Sequence, residues 1–209
     1  MTLLAIAILI SGCLHIHFDY KNNYAACYIF KPLTILLTIT SVFIFASFNE
    51  LYHYLIIAGL VFSLFGDIFL MLKRQQFIAG LVSFLIAHFI YSAAFFTQLN
   101  LPPTPTIFIA VSLVGLAMYT WLWPGLGKLA IPVSVYVAAI TIMVSLAAEI
   151  WFAMPDQFTL AAMIGAGFFM LSDGVLAANK FRMPFKAAQA IILSTYYIAQ
   201  VSIAYSAFT

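Results

Sequence analysis

Charge is what this sequence has least of. Its 209 residues include eight Lys and Arg and six Asp and Glu, 7% of the chain, against about 25% in an ordinary soluble domain. So few charges cannot cover a water-soluble fold of this size. A cytosolic enzyme and a disordered chain are therefore excluded. Eight basic residues build no patch for nucleic acid, and none is expected as a partner. Cysteine is equally scarce. Cys13 and Cys27 lie in or beside apolar stretches, which excludes a secreted disulfide scaffold. The four histidines are His15, His17, His53 and His88, and no three converge with zinc spacing. Gly-x-Ser-x-Gly and Gly-x-x-x-x-Gly-Lys are both missing. No metal and no cofactor are expected.

Apolar residues fill the space instead. They make up 66% of the chain, and the mean hydropathy is +1.13. A helix crossing hydrocarbon needs about 20 of them in a row. Breaks fall at Asp19–Asn23, Asn49–Glu50, Lys73–Gln76, Asn100–Pro105, Pro124–Lys128, Pro155–Gln157 and Asn179–Lys186. They divide the chain into eight spans, 2–18, 24–48, 51–72, 77–99, 106–123, 129–153, 158–178 and 187–208. The runs do not alternate, and only a helix satisfies its own backbone in lipid. The expected fold is all-α: a polytopic membrane protein of eight transmembrane helices, 1–209 forming one transmembrane domain. No Lys or Arg precedes the first run, so it is expected to be a retained helix rather than a signal peptide.

The few charges are sorted by loop. Lys21, Lys73, Arg74, Lys128, Lys180, Arg182 and Lys186 all fall in odd-numbered loops, whereas even loops carry Glu50 and Asp156. The positive-inside rule then puts the odd loops in the cytoplasm and both termini outside, in a bacterial inner membrane. A shift of 106 residues superposes Gly59 on Gly165, Asp67 on Asp173 and Tyr91 on Tyr197. That weak repeat suggests two parallel four-helix halves, 1–103 and 104–209.

Asp67 and Asp173 carry the strongest chemical signal. Each sits inside an apolar run, about six residues from its cytoplasmic end. An intramembrane carboxylate costs at least about 2.5–3.5 kcal/mol, so it is normally paired or functional. Their equal depth on parallel helices predicts one shared cavity on the cytoplasmic side. Lys31 lies at the same depth before Pro32, with Thr34, Thr38 and Ser41 on its face. It either snorkels to the interface or, with Lys73 or Arg182, meets an anionic head group. His88 and Tyr91 share a face near mid-membrane, and Tyr196, Tyr197 and Gln200 lie on the last span. Ser134, Thr141, Ser145 and Glu149 stripe the sixth. Polar faces on five helices imply an internal polar cavity, although helix–helix hydrogen bonding is the commoner role for any one of them.

Lys31-Pro32-Leu33, the stretch Ala58–Asp67 ending in Gly66-Asp67, Phe77-x-x-Gly80-x-x-x-Phe84-x-x-x-His88-x-x-Tyr91, Leu171-Ser172-Asp173 and Tyr196-Tyr197-x-x-Gln200 form a pattern over nearly the whole chain. It resembles the lysoplasmalogenase family of YhhN-like integral membrane proteins. The resemblance implies cleavage of the vinyl ether of a lysoplasmalogen to a fatty aldehyde and a glycerophospho-amine, with a lysophospholipid and membrane lipid as partners. The residues suit that chemistry. A vinyl ether opens by protonation of its β-carbon to an oxocarbenium ion, and two close carboxylates sharing a proton supply one acid and one anion. Asp67 and Asp173 are then the expected acid and base. His88 and Tyr91 would orient water, and Lys31, Tyr196, Tyr197 and Gln200 would bind substrate. The lipid chain would run outward past Phe62, Phe84 and Phe168. Intramembrane acids suit a proton-coupled carrier equally, and that is the alternative reading.

Overall fold

The computed structural model describes residues 1–72, 76–99 and 104–208. They form α1 (Thr2–Tyr20), α2 (Tyr24–Phe45), α3 (Leu51–Met71), α4 (Phe77–Thr97), α5 (Pro105–Leu126), α6 (Ala130–Ala153), α7 (Gln157–Phe181) and α8 (Ala188–Tyr205), with no strand among the described residues. Local sequence explains the ends. Asn23 caps α2 by accepting the Ala26 N–H, and Pro105 opens α5 where its missing N–H costs nothing. Asp156 accepts from the N–H groups of Phe158 and Thr159 in a capping box that starts α7. The same acidic residue that marks an outer loop in the sequence therefore also fixes a helix start.

The break expected at Pro124–Lys128 begins later than its proline. Helix α5 continues through Pro124 to Leu126 and passes into α6 by a single 3-10 turn at Gly127–Leu129. Proline removes one hydrogen bond but does not unfold a helix packed at that point. Gly127 makes the turn, with φ +50°.

Among the described residues, six stretches are long and apolar enough to cross a membrane. One of them, Pro105–Ala153, contains both α5 and α6. Helix α8 is not in that set. Its 18 residues include Gln189, Ser194, Thr195, Gln200 and Ser202, and most of its length is buried in the bundle. Large apolar side chains such as Leu3, Phe43, Phe89, Leu113, Ile131 and Ile191 point outward from six different helices. A soluble monomer does not tolerate such coverage, whereas a bilayer requires it.

Small residues set the closest packing. Helix α3 lies against α4 where Gly59 faces the Tyr91 ring, Gly66 faces Phe84 and Gly80 faces Leu70. Helix α7 lies against α8 where Gly165 meets Ile203 and the Ala199 carbonyl. This is packing by small residues, as expected where lipid removes the hydrophobic drive between helices. Helix α4 also packs on α6, and α2 on α8. Helices α1 and α5 bury few residues and form the periphery.

Candidate active site

Two polar clusters lie inside the apolar bundle, one around each aspartate. Asp67 stands on α3 and is 1% exposed. Its Oδ1 is 3.0 Å from the Lys31 ammonium on α2, and its Oδ2 accepts the Tyr196 hydroxyl of α8 at 2.8 Å. Lys31 thus turns inward to a carboxylate, with only 10% of its side chain exposed. Carboxylate and ammonium together make a neutral pair, the only form in which both charges are tolerable at that depth.

Asp173 stands on α7 in a different setting. Its Oδ2 accepts the Tyr136 hydroxyl of α6 at 2.6 Å, and His88 Nε2 of α4 lies 3.6 Å away. No Lys or Arg pairs with it among the described residues. The imidazole of His88 is fully buried between Tyr136 and Phe169, and neither ring nitrogen has a hydrogen-bond partner. Beside Asp173, Ser172 donates to the Ile192 carbonyl at 2.9 Å and fixes α7 on α8.

The two carboxylates do not share the single cavity that equal depth suggests. Asp173, its side chain 14% exposed, lines a cavity of about 70 Å³ with Tyr136, Phe84, Leu70, Phe77 and Met118. Asp67 lines neither this cavity nor the larger one. Phe84, Phe169 and Tyr196, in mutual edge contact at 5.6–6.0 Å, stand with Asp67 at one end and His88 with Asp173 at the other. Depth along a helix says nothing about rotation around it, and it is rotation that gives each aspartate its own pair of neighbours. At the rim, Lys180 lies over the Phe77 ring at 4.8 Å and Arg182 over Trp121 at 5.5 Å. Lys73 falls outside the described residues.

A second cavity, about 650 Å³, runs between α1 and α8 from Met1, Phe45 and Phe208 to Gly12 and Tyr197. It is almost wholly apolar. Phe62 and Phe168 pack against the core and line neither of these two cavities. Phe84 is the one member of that trio at a cavity wall.

The remaining sequence candidates fall in several places. Tyr91 touches no carboxylate. It donates to Gln200 Oε1 at 2.8 Å and ties α4 to α8. Tyr197 meets His15 Nδ1 at 2.6 Å and walls the large cavity. Glu149 accepts the N–H and hydroxyl of Thr104, which secures the start of α5. The spacing argument missed Tyr136 because a tyrosine in an apolar run reads as core. The repeat held the one available signal: Lys31 displaced by 106 residues is Val137, next to Tyr136.

The chain is similar to known membrane proteins. The model of the YhhN family matches residues 26–207. The membrane protein YhhN of Escherichia coli O157:H7 is 30% identical over 195 residues, 92% of either chain. Lysoplasmalogenase TMEM86A of Homo sapiens is 41% identical over 162 residues, 73% of this chain and 64% of its own. A lysoplasmalogenase of Mycobacterium bovis is 29% identical over 157 residues, 71% of this chain and 58% of its own. No solved structure matches. With a family match over all but the first helix and the chain ends, and apolar helices throughout, this integral membrane protein belongs to the YhhN family.

Proposed function

We propose that the chain is an intramembrane hydrolase that cleaves the vinyl ether bond of a lysoplasmalogen. The observation that carries this is the unequal charge balance of two buried carboxylates. Asp67 has a lysine at 3.0 Å, and Asp173 has no such cation. Asp67 is then a standing anion, and Asp173, which lines the cavity, is the neutral acid that vinyl ether hydrolysis needs. Relatives named lysoplasmalogenase from human and Mycobacterium bovis support the reaction class.

The reaction runs at the Asp173 cavity. The carboxyl oxygen not engaged by Tyr136 gives its proton to the β-carbon of the vinyl ether, and the π electrons form the new C–H bond. The α-carbon becomes an oxocarbenium ion beside the carboxylate just formed. Water attacks that carbon and Asp173 takes a proton back, leaving a hemiacetal. A cavity of about 70 Å³ exceeds the roughly 10–15 Å³ that one water requires. His88 Nε2, buried 3.6 Å from the carboxyl, backs Asp173 from behind the cavity wall. Asp173 passes that proton to the ether oxygen and takes the hemiacetal hydroxyl proton in return, so the C–O bond breaks to release a fatty aldehyde and a glycerophospho-ethanolamine or -choline, with Asp173 again neutral. Leu70, Phe77 and Met118 hold the first chain carbons, and Lys180 and Arg182 at the rim face the phosphate. The Lys31–Asp67–Tyr196 cluster sets the field across the aromatic wall. A second placement is favoured by volume: the 650 Å³ groove takes a whole chain and ends at Tyr197, next to Tyr196 and Asp67.

We also read eight crossings with both termini outside, in a bacterial inner membrane, and two parallel repeats in one domain. The loop charges support the orientation. The repeats are supported by the partners of the aspartates. Each is bonded from the second helix of its own half (Lys31 for Asp67, Tyr136 for Asp173) and neighboured by the fourth helix of the other half, the Tyr196 hydroxyl bonding Asp67 and His88 lying 3.6 Å from Asp173.

The test is aldehyde release by the purified protein from a lysoplasmalogen, beside the same lipid with a saturated ether. Aldehyde from the first alone is expected. A protein that folds yet releases none from either is not this enzyme, and uptake of the lipid without cleavage would favour a carrier.

A further inference from the structure

Outside both aspartate clusters, three side chains of metal-ligand type meet where α1 ends and α2 begins. His15 and Asp19 are one helical turn apart on α1, and Cys27 faces them from α2. One ligand atom from each lies within 4.8 Å of the other two. His15 and Cys27 are buried and Asp19 is half-buried. We propose that His15, Asp19 and Cys27 bind a zinc-class divalent cation that pins α1 to α2. This reading is independent of the hydrolase assignment.

The donor set fits such an ion. Imidazole nitrogen, carboxylate oxygen and thiolate sulfur are all zinc ligands, at roughly 2.0–2.3 Å, which places tetrahedral neighbours about 3.3–3.7 Å apart. The ligand atoms, within 4.8 Å of one another, are to close to that spacing when the ion binds. His15 Nδ1 is engaged by the Tyr197 hydroxyl at 2.6 Å, which leaves Nε2 for the metal. A metal-bound histidine is normally held by such a second contact on its other nitrogen. Charge is balanced as well. Cys27 gives up its proton on binding, so thiolate and carboxylate together neutralise a divalent ion. Lys31 is the cation near enough to oppose it, acting on all three groups. Its ammonium is already matched by Asp67 at 3.0 Å. Helix α1 otherwise meets the bundle through few buried residues, Ile8, Ser11, Gly12 and His15. A metal tie at its end gives this helix a fixed place. Histidine spacing alone hides the site, because only one histidine contributes and the other donors come from a carboxylate and a thiol.

The test uses the full chain in detergent, titrated with Zn²⁺ and separately with Co²⁺. One Zn²⁺ per chain is expected, with a thiolate-to-cobalt absorption in the near ultraviolet and release of a proton. Cys27→Ser should abolish that absorption while Cys13→Ser keeps it. Tyr197→Phe should weaken binding by about 10–100-fold, the usual effect of losing a second-shell partner. Asp19→Asn, nearly isosteric, guards against a folding artefact: it should elute as the wild type does yet bind Zn²⁺ at least about tenfold more weakly. The proposal is overturned if well-folded wild type takes up less than a tenth of an equivalent at micromolar Zn²⁺. Uptake that Cys27→Ser and Asp19→Asn leave unchanged overturns it equally.

Discussion

At the scale of single residues, the two aspartates look alike in sequence and differ in what reaches them. Asp67 sits in a closed ion pair. Removing Lys31 therefore strands a buried charge, which typically costs about 3–5 kcal/mol. Lys31→Met should lower the unfolding midpoint sharply, and Lys31→Met with Asp67→Asn should recover much of the loss. Thermal unfolding of the three variants in one detergent measures the coupling. An additive double variant would mean that the pair is not coupled. Asp173 predicts a kinetic phenotype instead. Asp173→Asn should cut turnover by about 10²–10⁴-fold in folded protein, as for loss of a general acid. If the reaction runs at the Asp173 cavity, Asp67→Asn keeps more activity than Asp173→Asn in steady-state kinetics of folded protein. The reverse order would move the chemistry to the Tyr197 groove. Both carboxylates were legible from the sequence, since a charge within an apolar run stands out. Tyr136 was not, because hydroxyl and ring are the same residue type whether a tyrosine packs or binds.

At the scale of helices, the bundle depends on close approach at a few glycines. A Cβ at Gly59 would overlap the Tyr91 ring, which is buried and held by its bond to Gln200. The ring has nowhere to go, so the helices must part. Gly59→Ala should destabilise by about 1–3 kcal/mol, the usual cost of overpacking. Gly167 on α7 meets nothing within 4 Å. Gly167→Ala should therefore be neutral or stabilising by up to about 1 kcal/mol, through helix propensity alone. Thermal midpoints of the two variants should move in opposite directions, and equal shifts would contradict the packing. The sequence shows both residues as glycines in apolar helices. Which of them faces another helix is a matter of rotation, and the composition of these helices leaves that rotation undetermined.

At the scale of the whole molecule, the proposed orientation rests on seven basic residues in odd-numbered loops. Single cysteines placed at Thr2, Gln157 and Met183 in a chain carrying both Cys13→Ser and Cys27→Ser test it. Maleimide added to intact cells should label the first two, and Met183→Cys should react only after permeabilisation. Labelling of Met183→Cys from outside would invert the topology. The same charges explain why the Asp173 cavity has a basic rim. Lys180 and Arg182 end α7, and their stems lie on Phe77 and Trp121 beside it.

Whatever depends on transfer from water to lipid is readable along the chain. Charge scarcity, run length and loop bias are sums along the chain, so they establish an all-helical membrane protein, the approximate helix ends and the residues too polar to be there by accident. Even so, Pro124 did not end α5, because packing outweighs one lost hydrogen bond. Tertiary structure alone decided partners. Lys31 with Asp67, Tyr136 and His88 with Asp173, and His15 with Asp19 and Cys27 join residues whose meeting depends on helix rotation and crossing. Those are set by side-chain shape at close contacts such as Gly59 and Gly165. Hydrophobicity, nearly uniform around these helices, leaves them open.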